Sequence, residues 1–155
     1  MPMRSISKIA LLCTWLGLSA CTSVLMNTPV SKKDDGWIVT LGEVKDGPDE
    51  YIAEGGVAVN PGNGERLIWA LVTVHNESAQ DPSFSYDSCV LDGKQQVCRP
   101  VAVDRHTEIP SAADRTESIE PGQEHTRLLI YSLAKEERPA RLRCGKIALP
   151  IPSPR

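Results

Sequence analysis

Ser132 and Lys135 stand three residues apart, the spacing at which one helical turn sets a lysine amine beside a nucleophilic serine hydroxyl. Ser132 leaves a strand-like run, however, and neither Ser-Asp-Asn nor Lys-Thr-Gly follows it. The same spacing at Ser5 and Lys8 falls in a leader. His75, His106 and His125 are the three imidazoles, and none has the local His-x-His partner that fixes two metal ligands at once. Asp46, Asp49 and Glu50 surround Gly47-Pro48 with calcium-type oxygen chemistry, but such groups ordinarily solvate a turn. The expectation is therefore no catalytic residue, no metal, no cofactor and no enzyme activity.

The cysteines carry more information. A two-residue turn at Gly93-Lys94 would pair Asp92 with Gln95 and bring Cys89 opposite Cys98 as a non-hydrogen-bonded pair. Cα atoms of such a pair approach closely enough for a disulfide. A Cys89–Cys98 bridge is the expectation. Cys144 shares its strand phase with Leu142 and reads as a small buried hydrophobe. It is alternatively a competitor for Cys89 or Cys98. No Cys-x-x-Cys motif points to redox work.

The N-terminus carries an address. Arg4 and Lys8 precede ten apolar residues, 9–18, and Leu18-Ser19-Ala20-Cys21 follows. A positive region, a short apolar segment and small residues make a secretory signal rather than a membrane span. Small residues at 19 and 20 before Cys21 resemble the lipobox of bacterial lipoproteins. The resemblance implies cleavage before Cys21, acylation of its thiol and new amine, and a firm lipid anchor in the membrane. Thr22 is not the Asp that favours inner-membrane retention, so in a two-membrane organism the resemblance implies the outer membrane, facing the periplasm. Loss of residues 1–20 removes Arg4 and Lys8, which leaves 15 basic and 20 acidic residues, a balance of −5. Such a body has no electrostatic reason to sit on anionic lipid or to bind nucleic acid.

The domain that must position these residues reads as strands. Residues 22–35 show no sustained period and read as a tether after lipidated Cys21. The body is expected over 36–149, and the prolines at 150, 152 and 154 suggest a frayed tail, 150–155. Trp37, Val39 and Leu41 alternate with Ile38, Thr40 and Gly42, the period of a half-buried strand. In the run 67–75, Ile68, Ala70, Val72 and Val74 make one apolar face, while Trp69, Leu71, Thr73 and His75 make the other. Further strands are expected over 84–91, 95–103, 124–133 and 140–149, with a helical turn near 111–117. About seven short strands with frequent turns predict an antiparallel all-β sandwich. Pro61-Gly62-Asn63-Gly64 leading into a strand that ends Val74-His75-Asn76-Glu77-Ser78, with Ile119-Glu120-Pro121-Gly122 before Leu128-Leu129-Ile130-Tyr131, is similar to secreted bacterial telokin-like domains. That resemblance implies an immunoglobulin-like sandwich and lends no reaction.

The functional expectation is a non-enzymatic envelope lipoprotein that binds a protein partner or supports an envelope assembly. Trp69 and Leu71 offer one surface, unless loops cover that face. Asp92 and Lys94 at a bridged hairpin tip offer another, which suits the alternative of an inhibitor or immunity protein against a protease or cell-wall hydrolase. Arg138, Arg141 and Arg143 read as a solvated strand edge that discourages pairing between molecules.

Overall fold

A computed structural model describes residues 23–79 and 82–153. Among them are fourteen strands: β1 (Val24–Met26), β2 (Val30–Asp34), β3 (Trp37–Asp46), β4 (Tyr51–Ile52), β5 (Ala58–Val59), β6 (Glu65–Asn76), β7 (Ser83–Ser85), β8 (Cys89–Asp92), β9 (Val97–Cys98), β10 (Ala102–Asp104), β11 (Thr116–Ser118), β12 (Glu124–Ala134), β13 (Arg141–Cys144) and β14 (Ile147–Pro150). One 3-10 turn, Tyr86–Ser88, joins β7 to β8. All ladders are antiparallel. The fold is an all-β sandwich.

The larger layer runs β1-β3-β6-β12-β10, with β2 also on β3. The smaller layer runs β14-β13-β8-β9, flanked by a β11-β7 ladder. The two expected faces of β6 are realised. Ile68, Ala70, Val72 and Val74 are fully buried and meet Leu91, Leu142, Cys144 and Leu149 of the other layer in one core. Burying side chains of this size stabilises the fold by about 1.5–3 kcal/mol each. Trp37, Phe84 and Tyr86 extend that core as an edge-to-face series with centroids 5.2 Å apart.

The tether expectation is overturned. Residues 24–26 and 30–34 lie in the sheet as β1 and β2, both paired with β3. The β2–β3 turn is Asp35-Gly36, with φ of 49° and 79°, the two positive values that a primed hairpin turn requires. β2 reads Val-Ser-Lys-Lys-Asp and lacks alternation because it is an exposed edge, where lysines deter further pairing. β3 likewise outruns the alternating stretch. A bulge between Leu41 and Glu43 resets its phase, so Val44 rather than Glu43 enters the core.

The tail boundary moves as well. Ile151 is buried, and its amide donates to the Ala140 carbonyl at 2.9 Å. The segment 140–149 is a hairpin, β13–β14, turned at Gly145 (φ 59°), rather than one strand. The expected helical turn near 111–117 is not formed, since Thr116–Ser118 pairs with β7. Lipobox residues 18–21, Cys21 included, lie outside the described residues.

Candidate functional site

The predicted disulfide is corrected first. Cys89 bonds Cys144, and Cys98 is free and buried. The hairpin loop has four residues, not two, so Asp92 pairs with Val97 and Leu91 with Cys98. Cys89 falls instead opposite Cys144 across β8–β13, with Cα atoms 4.0 Å apart. The Gly145 amide donates to the Ser88 carbonyl at 3.3 Å, so this is the narrow, non-hydrogen-bonded kind of pair. The requirement was legible, and only the partner strand was not. Burial pushes the Cys98 thiol up from its ordinary pKa, which disfavours the reactive thiolate.

Asp92 is not a fingertip. It is 5% exposed and accepts from Arg143 Nε at 2.6 Å and Nη2 at 2.8 Å, and from Arg141 Nε at 2.5 Å. The Arg143 hydrogen bonds, with the one from Arg141, hold its carboxyl below the ordinary range despite burial. Two of the three arginines read as a solvated edge are thus committed to one carboxylate. Lys94 is exposed, and its amide and that of Gln95 donate to Glu137 Oε2 from the facing 134–137 turn.

The helical turn that would set Lys135 beside Ser132 is not formed. Ser132 sits in β12, its hydroxyl donates to Glu65, and it accepts from the Gly62 amide at 3.1 Å. His125 Nδ1 lies 3.1 Å from Glu117 Oε2, beside Arg127. Burial pushes the Glu117 carboxyl up, but hydrogen bonds from Arg127 and His125 outweigh it and hold the carboxyl low. This group ties β11 to β12 between the layers. Asp46 pairs with Arg66 at 2.8 Å, and no cluster of metal-ligating side chains occurs among the described residues.

The strongest site lies where Trp69 does. Trp69 and Leu71 are half-buried on the outer face of β6, and the β4–β5 hairpin covers part of that face. Tyr51 stacks edge-on to Trp69 at 6.4 Å, and the Lys45 amine lies 5.8 Å from the indole centroid. Tyr51, Ala53, Leu67, Leu128 and Ile130 form a second, smaller core here. Loops cover the face, but incompletely. Between Tyr51, Trp69, Leu128, His106 and Pro110 a pocket of about 240 Å³ stays open.

Asp104 builds this pocket, and nothing in the sequence singled it out. Its carboxylate is 3% exposed and accepts from the Tyr51 hydroxyl, the His106 amide at 2.7 Å and the Ser111 amide at 2.6 Å. Burial, followed by the Asp104 bond and charge, pushes the Tyr51 phenol far above its ordinary pKa. The loop 105–111 is thereby held in shape, with His106 at φ 56°. The Glu54 amide donates to the Pro110 carbonyl at 2.8 Å and joins this loop to the β4–β5 hairpin.

Six large hydrophobic residues are exposed among the described residues, and Ile52, Val57 and Ile109 stand on these two joined loops. Asp49, Glu50, Glu54 and Glu108 are exposed on the same loops or next to them in sequence, with Arg105 the exposed strong base on the 105–111 loop. No family model, curated protein or solved structure matches this chain. The antiparallel sandwich accordingly stands on the chain's own geometry, and so does the reading of the pocket.

Proposed function

We propose that this chain is a lipid-anchored envelope protein that acts by binding a protein partner, not by catalysis, and that the Trp69–Asp104 pocket is where the partner docks. One observation carries this: a rigidly held apolar pocket with three exposed aliphatic side chains on its two loops. Exposed apolar clusters framed by polar groups mark interaction sites. A cavity of about 150 Å³ suffices for a benzene ring, whereas small-molecule pockets start near 300 Å³. At about 240 Å³ the pocket suits one large apolar side chain of a partner rather than a cofactor. The acidic rim suits basic neighbours beside that anchor.

The anchor itself rests on Arg4, Lys8, residues 9–18 and Leu18-Ser19-Ala20-Cys21, which support acylation of Cys21 and a periplasm-facing place at the outer membrane. Ile109→Asp should weaken partner binding at least tenfold with no change in melting temperature. Unchanged binding would remove the pocket from the account.

The inhibitor reading draws on a different observation. Glu137 pins the Lys94 and Gln95 amides, so the tip of the β8–β9 loop is preorganised, as a finger inserted into an enzyme cleft needs to be. Lys94→Ala with Gln95→Ala separates the two readings, because only the inhibitor reading predicts loss of binding.

A further inference from the structure

β1 begins very close to Cys21. Ser23 is already fixed, its carbonyl accepting from the Asp46 amide at 3.0 Å and its hydroxyl donating to the Asp46 carboxylate. Val24 pairs with Lys45. Only Thr22 separates Cys21 from Ser23, and two residue steps span at most about 7 Å. An acylated Cys21 would therefore leave the sandwich no freedom to stand away from the bilayer.

The register shows which end is held. Asp46 lies opposite Ile68 near the start of β6, and Ala134 at the end of β12 lies opposite Glu65. The Lys135 amide donates to the Gly64 carbonyl at 3.0 Å, and Arg66 Nη2 to the Glu137 carbonyl at 3.0 Å. Turns 46–48, 62–65 and 134–138 thus form one end of the sandwich. A groove there is lined by Ser23, Val24 and Leu25 and by Arg66, Lys135 and Arg138, with the carboxylates of Glu136 and Glu137 between the cations. Arg66 is occupied by Asp46, whereas Lys135 and Arg138 are exposed cations. The opposite end carries the Asp35-Gly36 turn and the turn at Gly122, with Asp34, Asp35 and Glu120, the Lys33–Glu77 ion pair, and Lys146 in the same groove as Asp34 and Asp35. Eleven residue steps of β6 at 3.3 Å each separate the two ends by about 36 Å.

We propose that the end built by Ser23 and turns 46–48 and 134–138 lies on the membrane surface, held there by the two-residue link to Cys21, with Lys135 and Arg138 against lipid phosphates and the Asp35-Gly36 turn directed away. The Trp69 pocket then opens sideways in the membrane-near half of the domain, since Trp69 pairs with Lys45, one residue from Asp46. A partner would be met close to the bilayer plane. This inference rests on acylation of Cys21.

The test uses the full chain, purified with its lipid and placed in vesicles of phosphatidylethanolamine and phosphatidylglycerol containing a headgroup-attached quencher. A fluorophore is attached at Glu136→Cys in one sample and at Glu120→Cys in another, with the parent chain as the control for labelling of buried Cys98. We expect quenching at position 136 several-fold stronger than at 120. Equal quenching, or stronger quenching at 120, on a chain whose N-terminal peptide carries acyl chains by mass would overturn the orientation alone. An unacylated peptide would overturn the anchor, and the orientation with it.

Discussion

Arg143 grips Asp92 with two nitrogens, Nε at 2.6 Å and Nη2 at 2.8 Å, across the β8–β13 ladder. In the strand register Asp92 lies opposite Arg141 and Arg143 lies opposite Val90, so the Arg143 contact runs diagonally along one face. Two cations from one strand thereby converge on a carboxylate at the root of the β8–β9 hairpin.

That convergence makes acid a specific stress. Asp92 and Glu117 are both held below the ordinary carboxylate range in the folded chain. A carboxyl depressed on folding contributes stability that is present above its unfolded pKa, near 4, and lost as pH falls through its folded value. Thermal midpoints should be level from neutral pH to about 5 and fall steeply below about 4. Asp92→Asn should lower the neutral-pH midpoint and flatten the acid limb. An unchanged acid limb would show that Asp92 is not ion-paired in solution.

The disulfide should be strongly stabilising. It closes 55 residues, for which the chain-entropy relation gives about 4 kcal/mol, against about 3 for a hairpin-length loop. Cys144→Ser should therefore cost roughly 4 kcal/mol in urea unfolding. Peptide mapping of the oxidised chain should yield Cys89 joined to Cys144, and Cys98 should alkylate only after denaturation. A Cys89–Cys98 peptide would reverse the assignment.

Asp104→Ala should leave the main core intact while freeing the loop 105–111. Leaving the buried donors around it unpaired costs about 1–3 kcal/mol. Amide exchange should rise over 105–111 and 51–58 and stay low in β6 and β12. Uniform acceleration across the sheet would mean that Asp104 holds the whole fold rather than the pocket.

Asn76 tests the far end of β6. Its side chain is fully buried, donates to the Ile119 carbonyl at 2.7 Å and accepts from the Ser78 amide at 2.8 Å. Asn76→Ala should destabilise by about 1–3 kcal/mol. A neutral result would deny it that bridging role.

The parts of the fold legible in the sequence were those where one physical pattern dominates. Residues 67–75 alternate two kinds of side chain, and the structure buries Ile68, Ala70, Val72 and Val74 as that alternation requires. β2 was hidden because an edge strand needs no apolar face, although Asp35-Gly36 was a hairpin signal in plain view. Hairpin loop length was hidden too. Gly93-Lys94 and 93–96 are both acceptable turns, and the choice between them moved Cys98 two positions away from Cys89. Trp69 was found because an indole on a sheet face invites a cover. Asp104 was missed because, beside the His106 and Ser111 amides of its own loop, it takes the hydroxyl of Tyr51 from β4, fifty-three residues away, a contact that only the folded chain arranges.

The most direct measurement places a photo-crosslinking side chain at position 109 of the full chain, in cells. The account predicts one envelope protein joined at 109, through a segment with an apolar anchor and basic neighbours, and loss of that adduct when Asp104→Ala is added. Adducts from position 94 with none from 109 would contradict the pocket as the docking site and transfer the function to the β8–β9 loop.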